Sequence, residues 1–269
     1  MLGSVVCRFE HFETDWYRRW YDALHLKPRP EDPPYHRKFW EYCAVAQTLL
    51  ERGKLQPGMR ALGFAVGVEP LPSLFAKYGV DVIATDVAPT HALGKVWGRV
   101  NQHPRSADDL FREEIVDRAT FDQHVRFQNA DMNRSWPFVE EGSLDFIWSC
   151  CAFEHLGSLE HGIRFLLRSS RLLKKGGIAV HTTEYNVTSN TRTSRKKKGV
   201  IYRRCDIEDL DRRLRYDKRC LAKMDFDPGE HEYDRCYDVM PYDPPPGQQH
   251  VKLLFDGFVA TSMLLTIVN

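Results

Sequence analysis

The sequence predicts one doubly wound α/β domain with a mostly parallel sheet. Three observations predict it. Between residues 58 and 184, short apolar runs alternate with helically spaced apolar stripes, the pattern of successive strand–helix–strand units. The first run ends in a segment of small residues, where a chain must turn sharply from strand to helix. Two apolar runs flanking Asp256 and Gly257 close the chain as a hairpin.

The elements follow in order. In residues 1–57, Phe12, Trp16, Tyr17, Trp20 and Leu24 have helical spacing. A proline-rich break (Pro28, Pro30, Pro33, Pro34) precedes a second helix expected over 35–52, stopped by Gly53. This N-terminal extension reads either as packing against the sheet or as a lid over a cleft. Strands are expected at 59–66, 80–85, 125–130, 144–150 and 178–183, with a helix over 72–78 after the first. Leu159, Ile163, Leu166, Leu167 and Leu173 form the stripe of another helix, stopped by Gly176 and Gly177. Residues 185–249 are polar, charged and end in three prolines, so they read as an insertion. The closing hairpin is expected to pair 250–255 with 259–268.

Composition narrows the setting. At 269 residues with 42% hydrophobics, the chain can bury a large core. A formal charge of +1 gives no global attraction to nucleic acid or membrane, so a charged partner needs a local patch. No apolar run reaches the length of a membrane span, and the first 21 residues lack the apolar core of a secretory leader. Seven scattered cysteines without a C-x-x-C pair point to reduced thiols and the cytoplasm.

In an open α/β sheet, ligands bind beyond the carboxyl ends of the strands. There the first strand yields Gly63, Phe64, Ala65, Gly67 and Glu69, whose small residues admit a ligand close to the backbone. The second strand ends in Asp86 and Val87, placing a carboxylate where a ribose diol can donate to it. Asp131 and Met132 follow the third strand, where an adenine could meet an acceptor and an apolar face. Ser149 lies at the end of the fourth.

This order of elements over 58–269 resembles the class I S-adenosylmethionine-dependent methyltransferases. The stretch Asp145-Phe146-Ile147-Trp148-Ser149-Cys150-Cys151-Ala152-Phe153-Glu154-His155-Leu156 resembles that family's fourth strand and following Glu-His pair. Arg171-Leu172-Leu173-Lys174-Lys175-Gly176-Gly177 resembles its R-x-L-K-P-G-G turn, with Lys175 in place of proline. The resemblance implies a Rossmann-like sheet of seven strands, the last antiparallel, with S-adenosylmethionine as cofactor. The chain departs from the family's first motif, an acid followed by three alternate glycines. Those places hold Gly63, Ala65, Gly67 and Glu69, which leaves Glu69 as a carboxylate for the donor's methionine ammonium group.

The acceptor is less legible. The motif Gly-Phe-Ala-Val-Gly-Val-Glu-Pro-Leu resembles a variant in bacterial methyltransferases associated with polysaccharide and lipopolysaccharide biosynthesis, as do Arg37-Lys38-Phe39-Trp40-Glu41 and the Thr182–Asn186 region. That resemblance implies a sugar hydroxyl or surface glycan as acceptor, and Tyr35, Arg37 and Trp40, in an aromatic and cationic segment outside the core pattern, are the candidates to bind it. Arg192, Lys196, Lys197 and Lys198 belong to a basic run that reads either as a solvated loop or as an edge for an anionic acceptor. RNA or a small metabolite is the alternative acceptor, although no RNA-binding module is recognisable. A non-catalytic cofactor-binding protein is a third reading.

A hydroxyl acceptor must lose a proton, and histidine is the usual base near neutral pH. Two pairs sit beyond strand ends: Glu154 with His155, and His181 with Glu184. A divalent metal on Glu154, His155 or Glu184 is a further option, since it would acidify a bound alcohol. Oligomeric state is not readable.

Overall fold

The computed structural model describes residues 1–26, 35–99, 102–196, 199–240 and 249–269. The strands are β1 (Ser4–Val6), β2 (Arg60–Phe64), β3 (Asp81–Asp86), β4 (Val125–Asn129), β5 (Leu144–Cys150), β6 (Leu173–Asn186), β7 (Arg195–Lys196), β8 (Gly199–Val200), β9 (Cys220–Leu221), β10 (Met224–Asp225), β11 (Leu253–Phe255) and β12 (Phe258–Val268). The helices are α1 (Asp15–Ala23), α2 (Arg37–Glu51), α3 (Leu71–Lys77), α4 (Ala92–Gly98), α5 (Arg118–His124), α6 (Leu159–Ser169), α7 (Arg204–Tyr216) and α8 (Glu232–Arg235).

The main sheet runs β10-β1-β12-β6-β5-β2-β3-β4. β2 to β6 are mutually parallel, and β12 returns antiparallel along β6 from Ala260 opposite Asn186 to Val268 opposite Ile178. The seven expected strands are therefore all present as β2 to β6, β11 and β12. Buried side chains cover both faces. Trp20, Trp40, Phe75, Phe121 and Trp148 fill one layer, under α1, α2, α3 and α5. Phe64, Ile163, Phe165, Ile207 and Leu210 fill the other, under α6 and α7. Local signals start these helices. The Ser158 hydroxyl accepts from His161 N–H at the start of α6, and Asp117 accepts from Thr120 N–H at the start of α5.

The structure corrects four expectations. The N-terminal segment supplies a strand, β1, paired antiparallel with β12 and parallel with β10, so it is part of the sheet. Three residues carry too little periodicity to reveal a strand. The insertion holds α7, whose Ile207, Leu210 and Leu214 are buried under a charged outer face. The fifth strand spans 14 residues rather than six, because Leu173 already pairs with Leu144 of β5 at its start and pairing with β12 continues to Asn186 at its end. The first limb of the hairpin shortens to Leu253–Phe255, because His250 bridges to His36 and the Lys252 side chain turns inward. The proline breaks at 28–34 and 244–246 lie outside the described residues. No helix among those described is long and apolar enough to cross a membrane.

Lys252 explains how the two chain ends and the insertion are joined. Its ammonium, 1% exposed, lies 2.9 Å from Asp234 Oδ1, and it donates to Cys7 O at 3.2 Å. The same Asp234 oxygen accepts from Phe9 N–H at 2.9 Å. Removing one partner of a buried pair strands the other charge. Asp234→Ala is therefore expected to lower stability by about 3–5 kcal/mol in urea unfolding. A loss below about 1 kcal/mol, the value of a surface pair, would contradict this account of the junction.

Candidate active site

The turn after β2 is built by two left-handed residues, Ala65 at φ +48° and Gly67 at φ +53°. It is stitched to β3: Val66 N–H donates to Thr85 O at 3.1 Å, and Thr85 Oγ1 donates to Gly63 O at 2.8 Å. The turn aims Gly67 N–H at Asp86 Oδ2, 3.0 Å away, while Val87 N–H donates to Oδ1 at 2.7 Å. Burial raises the Asp86 carboxyl above its ordinary range, and those two backbone donors and His103 pull against the rise. The result is a carboxylate fixed in direction at the end of β3.

A cleft of ≈ 630 Å³ opens beyond the carboxyl ends of these strands. This volume suits a nucleoside-sized ligand together with a small acceptor. Ala65, Gly67, Glu69, Asp86 and Val87 line one side, with Asp131 and Met132 beside them. Glu154, His155 and Glu184 line the opposite side, and Arg37 and Lys38 enter from the start of α2. Gly199, Val200 and Ile201 from the insertion close part of the rim.

Other expected site residues lie elsewhere. Gly63 sits beneath the Trp148 ring, and Phe64 packs on Trp136 and Phe165 in the core. Ser149 and His181 hydrogen-bond to each other inside the sheet at 2.7 Å. Burial lowers His181 to about 3, so its imidazole is neutral and out of reach of an acceptor. The cause is strand alternation, which points His181 into the layer beside Phe153 and Phe165. Trp40 is fully buried, its indole N–H donating to His11 Nδ1 at 3.1 Å. Tyr35 donates to Glu13 outside the cleft. Arg192 is exposed, and Lys196 pairs with Asp256 at 2.5 Å; neither lines the cleft. Lys197 and Lys198 lie outside the described residues.

Sequence reading singled out Arg37, Glu154 and Glu184 but missed the buried group that positions them, Glu41. The fully buried Glu41 carboxylate accepts from Ser262 Oγ at 2.6 Å, Thr182 Oγ1 at 2.8 Å and Cys151 Sγ at 3.1 Å, and Lys38 Nζ stands 3.1 Å away. These partners are separated by up to 221 residues, so no local pattern announces them. Arg37 donates to Glu184 Oε1 at 2.6 Å and to Ser262 Oγ at 2.9 Å. Glu154 Oε2 accepts from Thr183 Oγ1 at 3.2 Å, while its buried Oε1 has no hydrogen-bond partner. Burial raises the Glu154 carboxyl to about 7, and Glu184 adds to the rise while His155 opposes it.

Cys151 Sγ and carboxylate oxygens of Glu154 and Glu184 lie within 4.8 Å of one another. This donor set fits a divalent cation poorly. Burial holds Cys151 as the thiol, the wrong form for a ligand, and the Arg37 guanidinium already neutralises Glu184.

The methyltransferase-domain family matches residues 62–181. No curated protein matches the chain. Among solved structures, the chain is similar to an S-adenosylmethionine-dependent methyltransferase from Mesorhizobium loti, at 12% identity and TM-score 0.47, covering 84% of this chain and 98% of that one. It is also similar to magnesium protoporphyrin IX methyltransferase from Synechocystis PCC 6803, at 12% identity and TM-score 0.47, covering 97% of each. A third is phosphoethanolamine N-methyltransferase 2 from Haemonchus contortus, at 15% identity and TM-score 0.42, covering 63% of this chain. The chain spans 36% of that protein's length. With all three TM-scores below 0.5, the chemistry must come from this chain's own residues. The family match is confined to residues 62–181, and the N-terminal helices and the insertion lie outside it.

Proposed function

We propose that the protein is an S-adenosylmethionine-dependent methyltransferase acting on a hydroxyl group of a sugar or bacterial surface glycan. One observation carries the reading. The same cleft is lined by Asp86, whose carboxylate is oriented by two backbone donors, and by Glu154, whose buried Oε1 has no hydrogen-bond partner. Asp86 fits a ribose diol, because it lines the cleft and two backbone donors fix its carboxylate. Asp131 and Met132 fit the adenine edge and face. When bound, S-adenosylmethionine supplies a methyl group already activated on a sulfonium.

The chain must then align an acceptor and remove its proton. Glu154 suits the proton removal, because the residue lines the cleft, its Oε1 has no hydrogen-bond partner, and its raised carboxyl can take and release a proton near neutral pH. The paired Arg37 and Glu184 offer a donor and an acceptor side by side, as adjacent sugar hydroxyls require. The glycan itself is supported by resemblance alone, and the basic run adds little, since Lys196, Arg203 and Arg204 are paired within the chain. Action in the cytoplasm accords with seven cysteines free of disulfides. Methyl-transfer assays with glycan, RNA and small-metabolite fractions decide the acceptor. Transfer to RNA or a metabolite with none to glycan would replace the acceptor, and binding without any transfer would remove the enzyme.

Two measurements address the site. Asp86→Ala should weaken S-adenosylhomocysteine binding by about 1–3 kcal/mol in titration calorimetry. An unchanged affinity in a folded variant would move the ribose elsewhere. The second is a pH profile. Glu154 acts as base only when ionised, so kcat/KM should climb with pH and level off above about 7. Glu154→Gln should lose that limb and lower kcat by roughly 10²-fold or more. A glutamine variant with normal turnover and an unaltered profile would rule Glu154 out.

A further inference from the structure

Two buried carboxylate oxygens on the acceptor side, Glu154 Oε1 and Glu184 Oε2, have no hydrogen-bond partner among the described residues. The other oxygen of each is engaged. Thr183 Oγ1 donates to Glu154 Oε2 at 3.2 Å, and Arg37 donates to Glu184 Oε1 at 2.6 Å. Glu154 follows β5, and Glu184 lies on β6, the parallel neighbour of β5. Carboxylate oxygens of the two come within 4.8 Å of each other and of Cys151 Sγ. Acceptors shut away from water without a donor are costly, so two on neighbouring side chains ask for one explanation.

The charges around the two groups differ. Arg37 stands against Glu184 as its counter-charge. Glu154 has no such partner among the described residues. Lys38, from α2, pulls on it only weakly and is committed to Glu41 3.1 Å away. Cys151 on its own turn and Tyr202 from the insertion are also close, and burial keeps both neutral. Burial itself raises the Glu154 carboxyl to about 7; the neighbouring His155 opposes the rise and Glu184 adds to it. Glu154 is therefore the member that takes a proton. A protonated carboxyl gains one O–H donor. One proton on Glu154 Oε1 turns an orphan acceptor into a donor and gives Glu184 Oε2 the donor it lacks. A divalent cation would also serve both oxygens, but the Cys151 thiol and the Arg37 guanidinium disfavour it.

Resting on the reading of Glu154 as the base, we infer that Glu184 is its proton partner: the two carboxyl groups hold one proton between them, and Arg37 fixes Glu184 as the ionised member. Glu184 is then a positioning residue, which acts on the acceptor's proton through Glu154. As the acceptor oxygen bonds to the methyl carbon, its O–H bond breaks and the proton passes to ionised Glu154. The electron pair of the methyl–sulfur bond stays with sulfur. The new carboxyl O–H turns to Glu184 Oε2, an ionised acceptor and hence a strong one. Uptake of that proton relieves two buried oxygens at once, which makes Glu154 a stronger base than a lone buried carboxylate.

An infrared pH titration of the full chain, without acceptor, reads this proton, because a protonated carboxyl has a C=O stretch apart from the carboxylate bands. The difference between parent and Glu154→Gln assigns the band of Glu154, with its midpoint expected at about 7. Glu184→Gln is expected to bring that midpoint down by about one pH unit or more, since it removes the anion that shares the proton. Arg37 keeps Glu41 at 3.5 Å and Ser262 in that variant, so no cation is stranded. Arg37→Gln is expected to move the midpoint upward, since Glu184 loses its counter-charge; a packing role would not give opposite movements. A midpoint that stays in place or rises in folded Glu184→Gln overturns the inference, as does a parent in which Glu154 shows no protonated band. The base reading fails separately, when Glu154→Gln keeps normal turnover and an unaltered pH profile. Loss of the limb in Glu154→Gln with an unmoved midpoint in Glu184→Gln overturns the pairing alone.

Discussion

The carboxylate of Glu41 is the contact on which the cleft depends. It leaves α2, is fully buried, and gathers donors from β12, β6 and the turn after β5. Burying such a charge costs several kcal/mol unless hydrogen bonds and counter-charges offset it. Here they do: against burial, Lys38 and Arg37 together with the hydrogen bonds from Ser262 and Cys151 hold Glu41 below the ordinary carboxyl range. The arrangement fixes the start of α2 against three parts of the sheet. It thereby presents Arg37 to Glu184 and Lys38 to the carbonyl of Cys150. The acceptor wall is thus made by the N-terminal segment as well as by the strands.

The remaining architecture sorts carboxyl groups by environment. Glu41 is ionised by paired cations, whereas Glu154 and Glu69 are raised because burial meets few donors. Groups of one chemical type can then serve separate roles in one protein. The turns that deliver them are strained. Ala65 and Cys151 both take left-handed backbone at the ends of neighbouring strands, at φ +48° and +46°. Cys151 is kept there by its N–H, which donates to the carbonyl and hydroxyl oxygens of Thr182. Such conformations persist only where surrounding contacts over-determine them, and they gather at ligand sites.

Sequence periodicity revealed the strands that are buried on both faces and the helices with wide apolar stripes. It placed β5 at its observed limits and set Asp86 at the end of β3. It missed β1, β9 and β10, which are two or three residues long, and α7, whose buried stripe is masked by charge. On the donor side, the turn and Asp86 were legible because each sits at a strand end. On the acceptor side, a strand's two-residue alternation decides which residues face the cleft. Thus Glu184 lines it while His181, three residues earlier, points into the core. Contacts such as Glu41 with Ser262, or Trp148 with Glu69, join distant residues and leave no trace in spacing.

On the proposed function, one cleft at the strand ends holds the nucleoside donor together with Glu154. A crystal structure of the protein soaked with S-adenosylhomocysteine tests this directly. The account expects the ribose hydroxyls on Asp86, the adenine beside Asp131 and Met132, and the thioether sulfur pointing across the cleft toward Glu154. A ligand bound outside that cleft, or one whose sulfur points away from the Glu154 wall, would contradict it.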